Sequence, residues 1–236
     1  MKKIAIVQSN YIPWRGYFKL IDYVDEFVFY DEVQYTRRDW RNRNKIIINN
    51  KPDWLTIPLK NKGNYKESIS RMVINDNKWI QNHLQIISDN YFKAKYFDEV
   101  FSKLSKIFLN SNSEFLSIIN KNIITHICEL LKIKTKFYNS YEFFENESKS
   151  FCANERLIEI CEKINCQIYV SGPSAKNYLV EEKFYKKNIK VEWFDYKNTK
   201  VYNQNNQNNQ NNQKFFENLS IVDCMLHCGF DKKKFL

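Results

Sequence analysis

The sequence predicts an α/β protein: a mostly parallel sheet in βαβ units, with a helical insertion or subdomain. Short apolar runs bounded by polar loops occur near both ends of the chain, as strands buried on both faces require. The first two runs are joined through a helical stretch within about 30 residues, the length of a βαβ unit. Between the two portions, residues 78–131 contain neither Gly nor Pro and repeat apolar residues at helical spacing.

Taken in order, Lys2 to Val7 reads as the first buried strand and Gln8 to Trp14 as a loop. Gly16 to Val24 reads as a helix with Phe18 and Ile21 inward, Gly16 letting the chain turn closely into it. Phe27 to Tyr30 is the second strand. Ligands of parallel sheets bind outside the carboxyl ends of strands, here Gln8–Trp14 and Asp31–Tyr35. Lys45–Ile48 and Trp54–Pro58 form a hairpin around Asn49–Pro52. Three helices follow, marked by Trp79, Leu84, Ile87 and Tyr91, then Phe97 to Phe108, then Phe115 to Leu130.

The α/β pattern then resumes. Asn154 is placed to cap a helix running to Ile164. Gln167–Val170 is a strand, Ser171–Ser174 a turn, and Ser174 a cap for a helix toward Tyr185. Lys190–Phe194 is another strand, and Ile221–Cys228 a helix ended by Gly229. Gln204–Gln213 repeats Gln-Asn-Asn three times and adds a Gln, a composition too polar to bury. The organisation expected is one domain over 1–236, with a helical subdomain at 78–131 and a low-complexity surface loop at 203–213.

A net charge of +10 and a pI near 9.1 favour anionic partners: nucleotides, nucleotide-sugars, RNA or an acidic membrane surface. A solvated basic surface would give the same balance. The six cysteines form no CxxC pair, so reduced, mostly buried thiols are expected and no metal site. No signal peptide and no apolar run near 18 residues is present, which reads as a cytoplasmic protein without a transmembrane segment.

The densest polar stretch is Asp31–Lys45, with five cations and one anion between Arg37 and Lys45. Guanidinium groups grip phosphates through paired hydrogen bonds, so Arg37, Arg38, Arg41 and Arg43 suit a diphosphate. Gln34 and Asp39 belong to the same stretch, and Tyr35 and Trp40 are placed to stack on a base or sugar. At the other strand end, Gln8 and Asn10 supply both donors and acceptors, with Tyr11 and Trp14 beside them. A basic loop facing water, and loop side chains satisfying their own backbone, are the plain alternatives. Of the three histidines, His126 and His227 read as structural, and His83, one turn after Trp79, is the candidate base. Ser171-Gly172 with Lys176 follows a strand and opens a helix, where backbone N–H groups hold an anion. The run lacks P-loop spacing, so a plain turn is the competing reading.

Several of these stretches together resemble the WbqC-like protein family. They are Gln8–Phe18, Asp25–Tyr35, Arg38–Arg43, Trp54–Pro58, Trp79 with His83, Glu155–Leu157, Tyr169–Pro173 with Tyr178 and Leu179, and Leu219–Asp223. The likeness runs in order over almost the whole chain. It implies a cytosolic enzyme of O-antigen, capsule or glycan assembly, with glycine (aminoacyl) transfer to a sugar suggested for some members. It fixes neither acyl donor nor acceptor, and the first hypothesis is an enzyme joining an aminoacyl group such as glycine to a nucleotide-linked amino sugar. Under that hypothesis Asp31 or His83 acts as general base, the arginines hold the diphosphate, and backbone groups of Ser171 and Gly172 face the developing oxyanion. The cofactor is not named by the residues; ATP or an aminoacyl donor, aminoacyl-tRNA among them, would serve.

Two departures stand out. The family's first loop often reads Gln-Pro-Asn-Tyr, sometimes after a His, where this chain has Val7 and Ser9. The Gln/Asn tract replaces a shorter loop after Tyr202. A second likeness, to HxGH nucleotidyltransferases and related amide-forming ligases, lies in Pro13–Tyr17, with Trp14 and Tyr17 standing where the two histidines would be. The alternatives are another nucleotide- or nucleotide-sugar-dependent transferase and, last, a basic RNA-binding module.

Overall fold

Five short strands carry the centre of the molecule: β1 (Lys3–Val7), β2 (Glu26–Phe29), β5 (Lys136–Asn139), β6 (Ile168–Ser171) and β7 (Lys190–Trp193). All pair in parallel, in the order β5-β2-β1-β6-β7. A separate two-stranded ribbon joins β3 (Arg43–Ile48) antiparallel to β4 (Lys51–Thr56). The computed structural model describes residues 1–60, 66–144, 152–197, 199–204 and 215–236. Most of the low-complexity tract, 205–213, lies outside them.

Both faces of the sheet are covered, which explains why its central strands are almost wholly apolar. One face, with Ala5, Phe27, Phe29 and Val170, meets α1 (Arg15–Tyr23), α2 (Lys78–Tyr91), α3 (Phe97–Asn110), α4 (Leu116–Leu130) and α7 (Ile221–Cys228). The other, with Ile4, Ile6, Val28 and Tyr169, meets α5 (Ala153–Lys163) and α6 (Glu181–Tyr185). The inward stripes of α2, α3 and α4 (Trp79, Leu104 and Ile119 among them) pack in the same core as the sheet.

Several local expectations are corrected. The ribbon turn is only two residues, Asn49 and Asn50, both at positive φ (50° and 63°). That is the geometry a tight hairpin needs, and Asn tolerates it. Pro52 sits within β4, where a two-stranded ribbon leaves room for a residue lacking an N–H. Strand β5 was not expected; its residues are at most half-buried and open on Lys136, so no apolar run marks it. Asn154 does not cap α5. Cys152 holds that position, while Asn154 accepts from the Val180 N–H (2.9 Å) and donates to the Tyr178 carbonyl (3.0 Å). Ser174 lies inside a 3₁₀ turn over Pro173–Asn177, and α6 begins only at Glu181.

The C-terminal helix is fastened to the first loop. Ser220 caps α7 and its hydroxyl donates to the Ile12 carbonyl (2.8 Å), while the Ile221 N–H donates to Pro13 (2.9 Å). Asn44 also donates to the Ile12 carbonyl (3.0 Å). Ile12 itself takes a φ of 34°, a strained value for a β-branched residue, and these bonds hold it there. Asp223 of α7 is fully buried and accepts from Tyr91 (2.8 Å), Tyr202 (2.5 Å) and Gln204 (3.3 Å). Gln204, the first residue of the tract expected at the surface, is therefore buried.

Candidate functional site

The carboxyl ends of β1 and β2 meet at one buried carboxylate. Asp31, two residues beyond β2, is 1% exposed. Its Oδ1 accepts the Ser9 backbone N–H at 2.8 Å, and its Oδ2 has no protein partner. Burial pushes the Asp31 carboxyl above the usual range; the Ser9 hydrogen bonds and the charges of Lys121 and Arg41 hold it partway back. A carboxyl raised in this way, with one oxygen unengaged, is a functional-site candidate.

Arg41 lies against the same cluster. Its guanidinium donates to Asn10 Oδ1 and to Gln8 Oε1 (3.3 Å) and pairs with Asp39 (3.5 Å). From α4, the buried Asn120 donates to the Arg41 carbonyl (2.8 Å), and its Oδ1 is a second buried polar atom without a protein partner. The Tyr17 hydroxyl donates to the Gln8 carbonyl (3.0 Å). Gln8, Asn10, Asp31, Asp39 and Arg41 are thus brought together. Glu32, beside them, accepts from Ser140 at the end of β5, and burial raises its carboxyl too.

The rest of the basic run is more exposed or packs on the ribbon. Arg37 and Arg38 are exposed, as is Gln34. Arg43 and Lys45 share the outer face of the ribbon with Trp54, at 4.0 Å and 4.9 Å from its ring, and Trp40 packs on the same ring at 5.1 Å. Strand alternation sends Asn42 and Asn44 inward instead, and Tyr35 is buried, donating to Asn42 (2.9 Å). Arg43 also donates to the Arg38 carbonyl, and Arg41 contacts Gln8 and Asn10.

His83 is 2% exposed and both ring nitrogens are engaged. A carbonyl only accepts, so Nε2 carries the proton donated to Thr56 (3.2 Å) and Nδ1 accepts from the Tyr11 hydroxyl (2.8 Å). Burial pushes its pKa down to about 4. It is a neutral ring packed between Tyr11 and Trp79, not an open base. Tyr11 itself is fully buried.

The end of β6 is shaped differently from expectation. Ser171 is buried, and the Phe194 N–H caps its carbonyl (2.8 Å). Gly172 leads into the 3₁₀ turn, not an α-helix, and Lys176 turns away over Trp193 (5.3 Å). The Tyr196 hydroxyl lies so close that a Cβ on Gly172 would stand 3.2 Å from it. Trp14 packs at a tilt on Tyr196 (5.4 Å) and lies across Gly16, where a Cβ would come within 2.3 Å of its ring. With the Trp14–Ser220 backbone pairing, this covers the start of α1, where a dinucleotide fold would seat phosphate. Among the described residues no group of three or more His, Cys, Asp or Glu is placed to hold a metal ion.

A family model described as the WbqC-like protein family matches residues 8–235. The chain belongs to the WbqC-like protein family. Family membership suggests a role in polysaccharide biosynthesis. The chain is 39% identical over 236 residues to a Mycobacterium tuberculosis protein named "Uncharacterized protein Rv1507c", covering 100% of this chain and 98% of the relative. No solved structure matches. Among the described residues no helix is long and apolar enough to cross a membrane.

Sequence reasoning overlooked Asn120 and Lys121. A signal for Asn120 was present: it lies four residues after Leu116 and three before Ile123, on the inward stripe of α4, where a polar residue needs a reason.

Proposed function

We propose that this WbqC-like chain is a transferase of surface-glycan biosynthesis that forms an amide between an amino acid, plausibly glycine, and a nucleotide-linked amino sugar. The observation that carries the reading is Asp31: a buried, raised carboxylate with one unengaged oxygen, next to an anchored arginine at the ligand-binding edge of a parallel sheet. Family membership supports the polysaccharide setting.

In this reading the acceptor amine attacks the carbonyl carbon of an activated aminoacyl donor. The C–N bond forms and the C–O bond to the leaving group breaks. The amine proton passes to Asp31 and then to the leaving oxygen. Arg41 faces the diphosphate or the leaving group, and Gln8 and Asn10 set its angle.

The test is incubation of the protein with dTDP- or GDP-amino sugars, glycine and either ATP or glycyl-tRNA, with mass spectrometry for a new amide. Asp31→Asn should keep the fold and lower the rate by roughly 10²- to 10⁴-fold. No amide with any donor, or an Asp31→Asn variant at full rate, would overturn the reading. Another nucleotide-dependent transfer would use the same arginine and be recognised by its different product mass.

A further inference from the structure

A second feature opens on the same edge of the sheet. Between α4 and the carboxyl end of β5 lies a cleft of about 300 Å³. Phe29 and Phe137, stacked at 5.5 Å, line its apolar side; Lys121, Asn122 and Asn139 line its polar side. Tyr141 stands at its mouth, 57% exposed. Lys121 connects the cleft to the buried carboxylates: its ammonium donates to Asn139 (2.9 Å), and its charge bears on both Asp31 and Glu32.

We propose that this cleft seats the pyranose ring of the acceptor amino sugar. The proposal rests on the transferase reading above and adds the acceptor subsite to it. A sugar ring has a C–H face that packs on an aromatic and a rim of hydroxyls that need donors and acceptors. An exposed tyrosine beside two amides and an ammonium supplies both. An acyl chain would displace water from those polar groups and offer no hydrogen bond in return. A diphosphate would need more than one cation, and Lys121 is the one cation among the described residues that line the cleft.

Calorimetry tests this with UDP-, GDP- and dTDP-amino sugars, each against its nucleoside diphosphate without the sugar. Wild type should prefer one sugar-nucleotide to its diphosphate. Tyr141→Ala and Asn122→Ala, both at the cleft mouth, should each weaken the sugar-nucleotide roughly three- to tenfold and leave the diphosphate unchanged. Thermal unfolding confirms that the variants fold. A preference that survives both substitutions, or equal loss for diphosphate and sugar-nucleotide, overturns the subsite and leaves the Asp31 reading standing. Wild type that binds no sugar-nucleotide overturns both.

Discussion

Ser9 gives Asp31 a bond that proline cannot give. A proline at position 9 would remove the backbone N–H that reaches Asp31 at 2.8 Å. That N–H favours the charged carboxylate, so Ser9→Pro should raise the Asp31 pKa further. The acidic limb of the pH–rate profile should then move to higher pH. An unmoved limb would mean that Asp31 does not set it. His83 makes a different pH prediction. Its folded pKa, about 4, lies below the ordinary 6.5, so the neutral ring's stabilisation is intact above that value and is lost as pH falls toward 4. Up to roughly 3 kcal/mol should disappear across that window. Urea midpoints at about pH 7.5 and about pH 4.5 measure it, and His83→Gln should flatten the dependence.

At the scale of elements, α1 depends on one missing methyl group. A Cβ on Gly16 would meet the Trp14 ring at 2.3 Å, so Gly16→Ala must displace an indole that also packs on Tyr196. The expected cost is about 1–3 kcal/mol, with a change in tryptophan fluorescence. An Ala variant with native fluorescence and stability would show that the ring moves freely. Gly229 ends α7 for a separate reason, its φ of 71°, which an L side chain rarely adopts. Strand β5 illustrates how an edge element hides in a sequence. It contributes Phe137 to one layer, but its exposed Lys136 and half-buried neighbours leave no periodic signal. The ribbon shows the reverse: its hairpin was legible, whereas its register was not. That register places Lys45 opposite Trp54, so that Arg43 and Lys45 both lie over the Trp54 ring.

For the whole molecule, the +10 charge acts at long range, independent of any single contact. Affinity for a nucleotide-sugar should fall several-fold between about 50 and about 300 mM salt, while the melting temperature changes little. Calorimetry across that range checks it; a flat response would point to neutral contacts as the source of binding. The parallel sheet was readable because strands buried on both faces leave near-continuous apolar runs, as Ile4–Val7 and Phe27–Tyr30 do. Asp31 was readable because it follows such a run. The partners that define its state, Ser9 and Lys121, are set by tertiary contact and leave no local trace. The same holds for Asp223, whose hydroxyl partners lie 132 and 21 residues away.

The tie between α7 and the first loop also fixes an order of events in protein synthesis. Gln8–Trp14 leaves the ribosome early, yet its strained Ile12 is held by Ser220 and its Pro13 carbonyl by Ile221. At roughly 5–20 residues per second, more than ten seconds of translation separate the two halves of that contact. A nascent chain can pair β1 with β2 long before then, but its ligand-binding edge stays unfinished until residue 221 has emerged. Substrate capture is thereby deferred until α7 has docked on the first loop.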